Sequence, residues 1–431
     1  MTQLSSPSYH SVSLPDIAPG SKRFAGKRVA MVTFSQYPND ARPRRAVSAL
    51  VNEGATVDLI CLGGENQPRR ELFEGVNVLR VPLKHVRRGK FDYALRYGGF
   101  IFLTSVIFAL RTIVRRYDLV YVHNMPDILV ASALVPKALG AKVVLDLHDP
   151  MPELMTSIFR ASPDAKSVRL LKGFEKWSIA RADLVVTVNI ACQRIFSNRS
   201  CSSEKILVVM NSPDNRIFPY RATEEGDYGY QTETKPFVLM YHGSLVERNG
   251  LEVAIDALDS VRKSIPNAVL HVFGAKTDFL DRMMNKVREK NLTNAVRYFG
   301  PKRLEELVVE IDKCDLGVIP NHRNPFTEIN TPTRIFEYLA LGKPVIAPST
   351  AGILDYFDND SLLFFEAGDS EDLAKQIGYA FTHSKEMLKI TRAGQQVYRE
   401  HTWAMEREGL VGRISTLFDK KPEMSDALKR T

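Results

Sequence analysis

Short runs of apolar, often β-branched residues alternate with helical stretches along most of this chain of 431 residues. Most of these runs are nearly continuous in apolar residues, which is typical of strands buried on both faces of a parallel sheet covered by helices. A first series comprises residues 28–34, 57–62, 76–81, 119–123, 142–147, 184–188 and 206–210, and a second comprises 237–242, 269–273, 296–299, 316–319 and 344–347. The sequence therefore predicts an α/β fold with two doubly wound parallel sheets.

The stretch between the two series contains Ser-Pro-Asp-Asn and Glu-Glu-Gly-Asp but little apolar periodicity, so it marks a domain boundary. We predict a mobile N-terminal arm at 1–26, a first Rossmann-like domain at 27–213, a linker at 214–235, a second Rossmann-like domain at 236–400, and a closing helix with a tail at 401–431. Open α/β sheets bind ligands at the carboxyl ends of their strands. We therefore expect the active cleft between the two domains.

Charge and cysteine content narrow the partners and the compartment. The formal net charge of +8 favours phosphorylated ligands or an anionic membrane surface, and we expect no nucleic acid partner. The four cysteines are scattered without ligand spacing, so neither a disulfide framework nor a zinc site is predicted. Residues 1–26 contain no apolar stretch of signal-peptide length. The expected location is the cytoplasm, with a peripheral position on the inner face of the cell membrane.

One apolar run, 97–110, is flanked by basic residues. These residues are Lys84, Arg87, Arg88, Lys90, Arg111, Arg115 and Arg116. The fourteen residues between Arg96 and Arg111 fall short of the roughly 20 that span a bilayer. The run could lie in the membrane interface with Phe100, Phe102 and Phe108 immersed, or it could be a buried helix of the first sheet. An apolar run of this length leaves both alternatives open.

Residues 331–347 predict a loop, a short helix and a buried strand. Pro332 and Thr333 suit a helix start, where free backbone N–H groups can bind phosphate oxygens, and Gly342 suits its end. Glu337 lies among apolar residues and needs a hydrogen-bonded partner. A pair of sugar hydroxyls would serve, and the alternative is an ion pair with a neighbouring Arg or Lys. Thr331 and Thr333 are candidate substrate-binding residues.

The loop 243–250 is bounded by glycines and joins the first strand of the second domain to a helical stretch. Gly243 would allow a phosphate to approach the backbone closely, and Arg248 would supply charge-assisted hydrogen bonds to diphosphate oxygens. A glycine pair seven residues apart is equally consistent with a loop of no function.

In the first domain, His148 and Asp149 follow a predicted buried strand and therefore lie at its carboxyl end. His148 is therefore a candidate to contact a ligand at this strand end, with Asp149 and Glu153 orienting its ring. A satisfied core histidine is the alternative.

Two further loops at strand ends are candidates for contacts with the acceptor. The loop 37–45 carries Asp40, Arg42 and Arg44, which we place at the mouth of the cleft, and 123–127 supplies a second wall. For both loops, ordinary solvated turns are an equal alternative.

The stretch 331–347 resembles the donor-binding signature of the retaining family-4 glycosyltransferases of the GT-B fold, and with the Gly243 loop and the His148 strand end the resemblance covers roughly residues 28–415. It implies that Glu337 holds the ribose hydroxyls of a nucleotide sugar, that the Gly243 loop holds its diphosphate, and that His148 lies beside the transferred sugar. A second family glutamate falls at Ile329, with Glu328 one residue away. The family's Arg and Lys in the loop are replaced by Ser244 and Asn249, so Arg248 and Arg334 would take their part.

The resemblance further implies a transferase that works by front-face attack, with no catalytic metal and no cofactor other than the nucleotide-diphosphate sugar it consumes. It also implies a last helix that returns to the first domain. The expected acceptor is lipid-linked or a saccharide, as in polysaccharide biosynthesis. Two other classes compete with this hypothesis: a sugar-nucleotide 2-epimerase of similar fold, which should carry more acid and base groups than can be placed here, and a non-catalytic nucleotide-sugar-binding scaffold at a membrane.

Overall fold

The computed structural model describes residues 22–64, 67–83, 89–159, 161–224 and 235–419, excluding the side chains of 89–94 and 159. The chain forms two compact units. One runs to Met210 and resumes at Ala404, and the other comprises Asn211–Trp403. Each unit is built on its own largely parallel sheet, so the predicted fold class is confirmed.

The first unit contains the strands β1 (Arg28–Gln36), β2 (Thr56–Leu62), β3 (Arg70–Phe73), β4 (Val76–Val81), β5 (Leu119–His123), β6 (Lys142–Leu147), β7 (Leu184–Thr187) and β8 (Ile206–Val208). Its helices are α1 (Ala41–Asn52), α2 (Gly89–Val114), α3 (Leu134–Ala138), α4 (Met151–Phe159), α5 (Lys166–Arg181) and α6 (Ile190–Arg199), with short 3-10 helices at Asp127–Ala133 and Ser203–Lys205. The strand order is β3-β4-β2-β1-β5-β6-β7-β8, and only β3 pairs antiparallel to its neighbour. The order reverses between β1 and β5, which is the point where open α/β sheets bind ligands.

The second unit contains β9 (Phe237–His242), β10 (Ala268–Phe273), β11 (Val296–Tyr298), β12 (Leu316–Val318), β13 (Val345–Pro348) and β14 (Leu363–Phe365). Its helices are α7 (Leu251–Val261), α8 (Asp278–Glu289), α9 (Leu304–Lys313), α10 (Thr333–Ala340), α11 (Ala351–Leu354), α12 (Ser370–Thr382) and α13 (Ser384–Glu400), with a 3-10 helix at Glu247–Asn249. The strand order is β11-β10-β9-β12-β13-β14, with every pair parallel. Here the order reverses between β9 and β12.

The last helix, α14 (Trp403–Ser415), packs on the first unit from Ala404 onward. Arg407 on this helix pairs with Glu53 at 2.7 Å, and both side chains are buried. Glu406 accepts a hydrogen bond from the backbone N–H of Met210 at 2.9 Å. These two contacts hold α14 against the first unit. The ion pair resists separation, because an unpaired buried charge costs free energy.

The prediction of a mobile arm at 1–26 is wrong for its last residues. Phe24 is buried, its backbone N–H donates to Glu53 O at 2.9 Å, and its ring lies 6.1 Å from that of Phe418. Residues 1–21 lie outside the described residues. The prediction failed because the Phe24 ring is buried. Polar residues flank Phe24 in the sequence and gave no sign of that burial.

The segment predicted as a linker, 214–235, is partly packed against the second unit. Thr223 donates to Gly342 O at 3.2 Å and its backbone N–H donates to Gln395 at 3.0 Å. The guanidinium of Arg221 donates to Leu341 O at 2.7 Å. Arg221 and Thr223 belong to the second unit, which starts at Asn211. Residues 225–234 lie outside the described part of the chain.

Helix α2 has one buried face and one exposed face. Phe100, Thr104, Phe108 and Thr112 are buried, so the prediction that Phe100 and Phe108 contact lipid is wrong. The exposed side chains form what we call the outer face of α2: Leu95, Phe102, Leu103, Val106, Leu110, Ile113 and Val114. The buried face supports the alternative of a helix packed on the first sheet, and contact of the outer face with a membrane stays a prediction.

The same helix corrects the predicted length of the apolar segment. It continues to Val114, and Leu95–Val114 is a 20-residue stretch long and apolar enough to cross a membrane, of which 22% is buried inside the protein. The sequence-based interval stopped at Arg111, whose guanidinium reaches back to Asp58 at 3.8 Å. A core helix can pass the same test of length and composition. The basic residues at 84–88 lie outside the described residues, and no side chain is described for Lys90.

Candidate active site

Helix α10 places Glu337 at the carboxyl end of β9. The helix begins after Pro332 as predicted, and the chain leaves it at Gly342 with φ 71°. Glu337 is 12% exposed, and its Oε2 lies 2.6 Å from Nε2 of His242, the last residue of β9. The partner of this glutamate within the protein is thus a histidine rather than the Arg or Lys of the alternative prediction.

Hydrogen bonding and burial define the protonation of His242. Its Nδ1 lies 2.8 Å from the hydroxyl of Tyr338, which also lies 2.9 Å from Met240 O. Burial lowers the pKa of His242 despite the nearby Glu337 carboxylate. In a neutral ring Nε2–H donates to Glu337 and Nδ1 accepts from Tyr338, whose single hydroxyl proton is then not donated to Met240 O. The histidine then holds one carboxylate oxygen, and Oε1 has no hydrogen-bond partner in the part of the chain that the structure describes.

Arg334, one turn earlier on α10, lies against the Gly243 backbone. Its Nη1 donates to His242 O at 2.6 Å and its Nη2 donates to Asn321 Oδ1 at 3.2 Å. A Cβ at Gly243 would come within 3.3 Å of Arg334 Cδ, and φ at this glycine is 124°. Glycine is favoured at 243 by its backbone conformation, and a Cβ there would also require Arg334 to shift slightly. Arg334 thus lies beside the glycine loop, and its binding of a diphosphate stays a prediction.

The loop after β9 closes as the strand-to-helix turn that the glycines predict. A Cβ at Gly250 would meet Pro320 O at 1.8 Å, and α7 starts at the next residue. Ser244 is exposed, and its carbonyl accepts hydrogen bonds from Asn249 and Tyr241 at 2.8 Å each. The backbone of the loop is therefore held by its own side chains.

Arg248 lies in this loop with its guanidinium carbon 5.7 Å from the centroid of the Phe326 ring. Within the described ranges, no carboxylate or carbonyl is hydrogen-bonded to this guanidinium. Its backbone carbonyl accepts from the N–H of His322 at 3.1 Å, which ties the loop to the segment after β12. An arginine near the face of an aromatic ring, with no hydrogen-bond acceptor bound among the described residues, is suited to bind an anion.

Other predicted donor-side residues have partners within the protein. Glu328 accepts from Arg323 at 2.6 Å with one oxygen and from the backbone N–H of Ala351 at 3.1 Å with the other. The Thr331 hydroxyl donates to Gly352 O at 2.6 Å. Thr333 is the first residue of α10, where its backbone N–H is one of those the helix leaves free. Glu328 and Thr331 thus stabilise the start of α11, and their binding of substrate stays a prediction.

In the first unit, His148 follows β6 and is supported by neighbours that the sequence analysis did not identify. Its Nε2 lies 3.0 Å from Nδ1 of His123, the last residue of β5. Its backbone N–H donates to Asn124 Oδ1 at 2.8 Å. Burial lowers the pKa of His148 well below the usual value, because the carboxylate of Asp146 only partly offsets desolvation. The ring is therefore neutral, with 18% of the side chain exposed.

Glu153 does not orient His148, contrary to the prediction. Both of its oxygens are bound by Arg199, at 2.7 and 3.0 Å, and Arg199 also pairs with buried Glu175. Asp149 follows His148, and its backbone carbonyl accepts from Asn124 Nδ2 at 3.1 Å. Helix α4 directs Glu153 toward Arg199 of α6. The two residues lie 46 positions apart, so no local sequence pattern shows that they meet.

Arg42 is not at an open cleft mouth, and the prediction that it contacts an acceptor is wrong. It is buried, and its Nε and Nη2 donate to Asp146 Oδ1 at 2.9 and 2.7 Å while Nη1 donates to Val209 O at 2.9 Å. Asp40 caps α1 by accepting from the Arg42 N–H at 3.3 Å. Arg44, the third candidate in this loop, pairs with Glu74 on the surface at 3.0 Å.

The atoms of His123, Asp146 and His148 that could ligate a metal lie within 4.8 Å of one another. The donor set fits a cation poorly, because Asp146 is already bound by the Arg42 guanidinium and by the Tyr121 hydroxyl at 2.9 Å. A metal ion there would replace the arginine and leave its charge buried and unpaired, which is strongly unfavourable. The cluster is better described as a hydrogen-bonded network around one carboxylate.

Comparison with known proteins adds family information to this geometry. A family model described as Glycosyl transferases group 1 matches residues 227–397, and one described as Glycosyl transferase 4-like domain matches residues 40–212. Over 186 residues the chain is 25% identical to a glycogen synthase of Mycobacterium tuberculosis, a match that covers 43% of this chain and 42% of that protein. The chain thus matches less than half the length of that relative.

Solved structures resemble the chain over nearly its whole length. Sucrose-phosphate synthase from Thermosynechococcus elongatus has a TM-score of 0.68 at 17% identity and covers 91% of this chain and 99% of its own. HepE from Anabaena, solved in complex with UDP, has a TM-score of 0.66 at 16% identity and covers 90% of this chain and 100% of its own. At these identities the likeness shows the fold.

Proposed function

The chain belongs to the family-4-like glycosyltransferases of the GT-B fold, and from this premise we propose that it transfers a sugar from a nucleotide-diphosphate donor to an acceptor with retention of anomeric configuration. The observation that carries the proposal is the Glu337 carboxylate. It is fixed by His242 through Oε2, and its other oxygen is uncommitted among the described residues. A carboxylate held in this way is suited to accept hydrogen bonds from the two ribose hydroxyls.

The diphosphate is bound, in this proposal, by the Gly243 loop and the start of α10. Breaking the bond between the anomeric carbon and the diphosphate oxygen leaves an additional negative charge on the departing nucleotide. Arg248 supplies donors for that charge, and Arg334 adds a positive charge beside the Gly243 backbone. Groups preorganised around a developing charge are worth about 3 to 4 kcal/mol each. These arginines make a divalent ion unnecessary, so we propose a metal-independent reaction.

Retention follows in the proposal from attack on the same face that the diphosphate leaves. The acceptor oxygen forms its bond to the anomeric carbon while the departing phosphate oxygen takes the acceptor's proton. His148 contributes a neutral imidazole at the carboxyl end of β6, and we assign it to the transferred sugar or the adjacent phosphate. The acceptor is a lipid-linked precursor or a saccharide.

Transfer can be tested with radiolabelled nucleotide sugars, a lipid extract and a panel of saccharides, with and without a metal chelator. We expect label to move from one nucleotide sugar to an acceptor, with the anomeric configuration kept and the rate unchanged by the chelator. Label found only in an epimerised nucleotide sugar would make the protein an epimerase. Tight donor binding without transfer to any lipid or saccharide would mean that the protein binds the nucleotide sugar and is not a transferase.

Glu337→Gln keeps the side-chain shape but removes the charge that strengthens hydrogen bonds to ribose hydroxyls. We expect donor affinity to fall by about 1.5 to 3 kcal/mol with the fold intact, as measured by calorimetry. Glu328→Gln is a matched control, because its two oxygens are already bound by Arg323 and Ala351, and it should change donor affinity much less. Unchanged donor binding in Glu337→Gln would contradict the ribose assignment.

The outer face of α2 supports an anionic lipid surface as a further partner, with a peripheral position on the cytoplasmic side of the membrane. Phe102 is 72% exposed and Ile113 is 70% exposed. Arg115 and Arg116 follow the helix and are exposed as well. Exposed apolar side chains next to cations match the acyl and headgroup regions of an anionic leaflet, where each basic residue contributes about 1 kcal/mol.

Vesicle cosedimentation tests this surface. The double variant Phe102→Glu and Ile113→Glu should lose binding to anionic vesicles, and so should a variant in which Lys84, Arg87, Arg88 and Lys90 are all changed to Ser. About 1 M salt should weaken binding by shortening the Debye length. Leu72→Glu is the control, since Leu72 is 73% exposed on β3 but is not part of the outer face. Binding that survives the double variant and the salt would contradict docking through this face.

A further inference from the structure

His148 is partly exposed and its neighbour His123 is buried, and the proton positions of the two rings can be worked out from their surroundings. Nδ1 of His123 lies 3.0 Å from Nε2 of His148 and 3.4 Å from Oδ2 of Asp146. Nε2 of His123 is buried and has no hydrogen-bond partner among the residues described. His148 Nδ1 likewise makes no hydrogen bond within the described ranges, and its side chain is partly exposed.

Asp146 is a charged carboxylate in this network. Burial would raise its pKa, but the positive charge and hydrogen bonds of the Arg42 guanidinium outweigh burial and lower the pKa to about 2. Arg42 contacts Oδ1, while the Tyr121 hydroxyl donates to Oδ2. His123 faces this second oxygen, since His123 and Asp146 are register partners on β5 and β6. The negative charge therefore attracts an N–H on His123 Nδ1.

Two proton arrangements are available to a pair of neutral rings. In the first, His123 carries its proton on Nδ1, donates to His148 Nε2, and leaves an unprotonated Nε2 in the buried position. In the second, His148 donates from Nε2, so that a lone pair of His123 faces Asp146 and an N–H of His123 is buried without a partner. The second arrangement combines electrostatic repulsion with an unsatisfied buried donor, and both are unfavourable. The first arrangement is favoured.

We propose that His123 is a positioning residue that holds His148 in the tautomer protonated on Nδ1, so that His148 presents an N–H donor to its ligand. The ligand is then an oxygen acceptor, either a hydroxyl of the transferred sugar or a phosphate oxygen of the donor. In this tautomer Nδ1 has no lone pair, so His148 binds the ligand and does not remove a proton from it. The identity of the ligand rests on the proposed function, whereas the tautomer does not.

The tautomer can be measured by NMR on protein labelled with ¹⁵N at histidine, using two-bond ¹H–¹⁵N correlations and a His148→Gln variant to assign the signals. We expect the His148 pattern of a protonated Nδ1 and an unprotonated Nε2 at neutral pH. The opposite pattern in the unsubstituted protein would overturn the proposal, whatever the variants do.

Two variants separate positioning from structural support. His123→Asn places its amide nitrogen at the Nδ1 position and keeps the donor, while His123→Leu removes it. Asn should keep the His148 pattern and stay within about threefold of the unsubstituted turnover number, and Leu should lose the pattern and lower turnover at least about tenfold, with the smaller effect on KM. Equal losses in both variants would overturn the positioning role. The expected NMR pattern in a protein that transfers no sugar would keep the tautomer and refute the proposed function.

Discussion

Arg248→Ala is expected to lower the turnover number by about a hundredfold to a thousandfold while weakening donor binding much less. The guanidinium meets a charge that grows as the bond to the diphosphate breaks, so its interaction is stronger in the transition state than in the ground state. Its only described side-chain contact is the Phe326 ring at 5.7 Å, so the fold should not depend on it. Steady-state kinetics and calorimetry with the donor measure the two effects separately.

A matched control for this variant is Arg282→Ala. Arg282 is 55% exposed and pairs with Glu247 in the same loop at 2.8 Å, so its removal takes away a nearby positive charge without touching Arg248. We expect little change in turnover, as is usual for exposed ion pairs. A rise in KM alone for Arg248→Ala would mean that the arginine binds substrate and transition state equally. Similar losses in both variants would point to a general effect of charge.

His148→Ala is expected to lower the turnover number at least about a hundredfold at an unchanged melting temperature. The side chain makes one described hydrogen bond, to His123, and is partly exposed. After its removal, His123 still has the Asp146 carboxylate at 3.4 Å, so the buried network keeps its charge balance. Transfer assays and thermal melts on the same preparation test both parts.

His383→Ala controls for the loss of a histidine, because His383 is exposed at the end of α12 and, among the described residues, its side chain is hydrogen-bonded to Thr382 and Tyr379. It should leave transfer unchanged. A melting temperature that falls in parallel with activity in His148→Ala would identify His148 as the satisfied core histidine of the alternative interpretation, and the assignment to the sugar or phosphate would then fail.

Much of the architecture could be predicted from local sequence. Nearly continuous apolar runs indicated all the central strands of both sheets, because a strand covered on two faces has no polar side to show. The start and end of α10 could likewise be predicted from Pro332 and Gly342, which act through their own backbone conformation. Two strands at sheet edges, β3 and β14, were not predicted, and β3 has no apolar run to indicate it, because none of its residues is buried.

The environment of the candidate site residues depended on tertiary structure. Glu337 was identified as a carboxylate in need of a partner, but His242 lies 95 residues earlier in the chain and meets it only because α10 packs at the end of β9. Its position directly before Gly243, at a strand end, was the one local signal that could have indicated it. Glu328, by contrast, turned out to be bound to Arg323, a contact only five residues away.

The sequence by itself determined which residues form strands, helices and glycine turns, since these depend on hydrogen bonds and side-chain alternation over a few neighbouring positions. Only the tertiary structure decided which polar side chains face one another. Arg42 looked like a surface arginine, yet the sheet order brings Asp146, 104 residues away, within 2.7 Å and buries the pair. The adjacency of β5 and β6 places His123 beside His148 in the same way. A buried charge needs a partner, and the fold can supply that partner from a distant part of the sequence. No local sequence pattern shows which distant residues will lie close together in space.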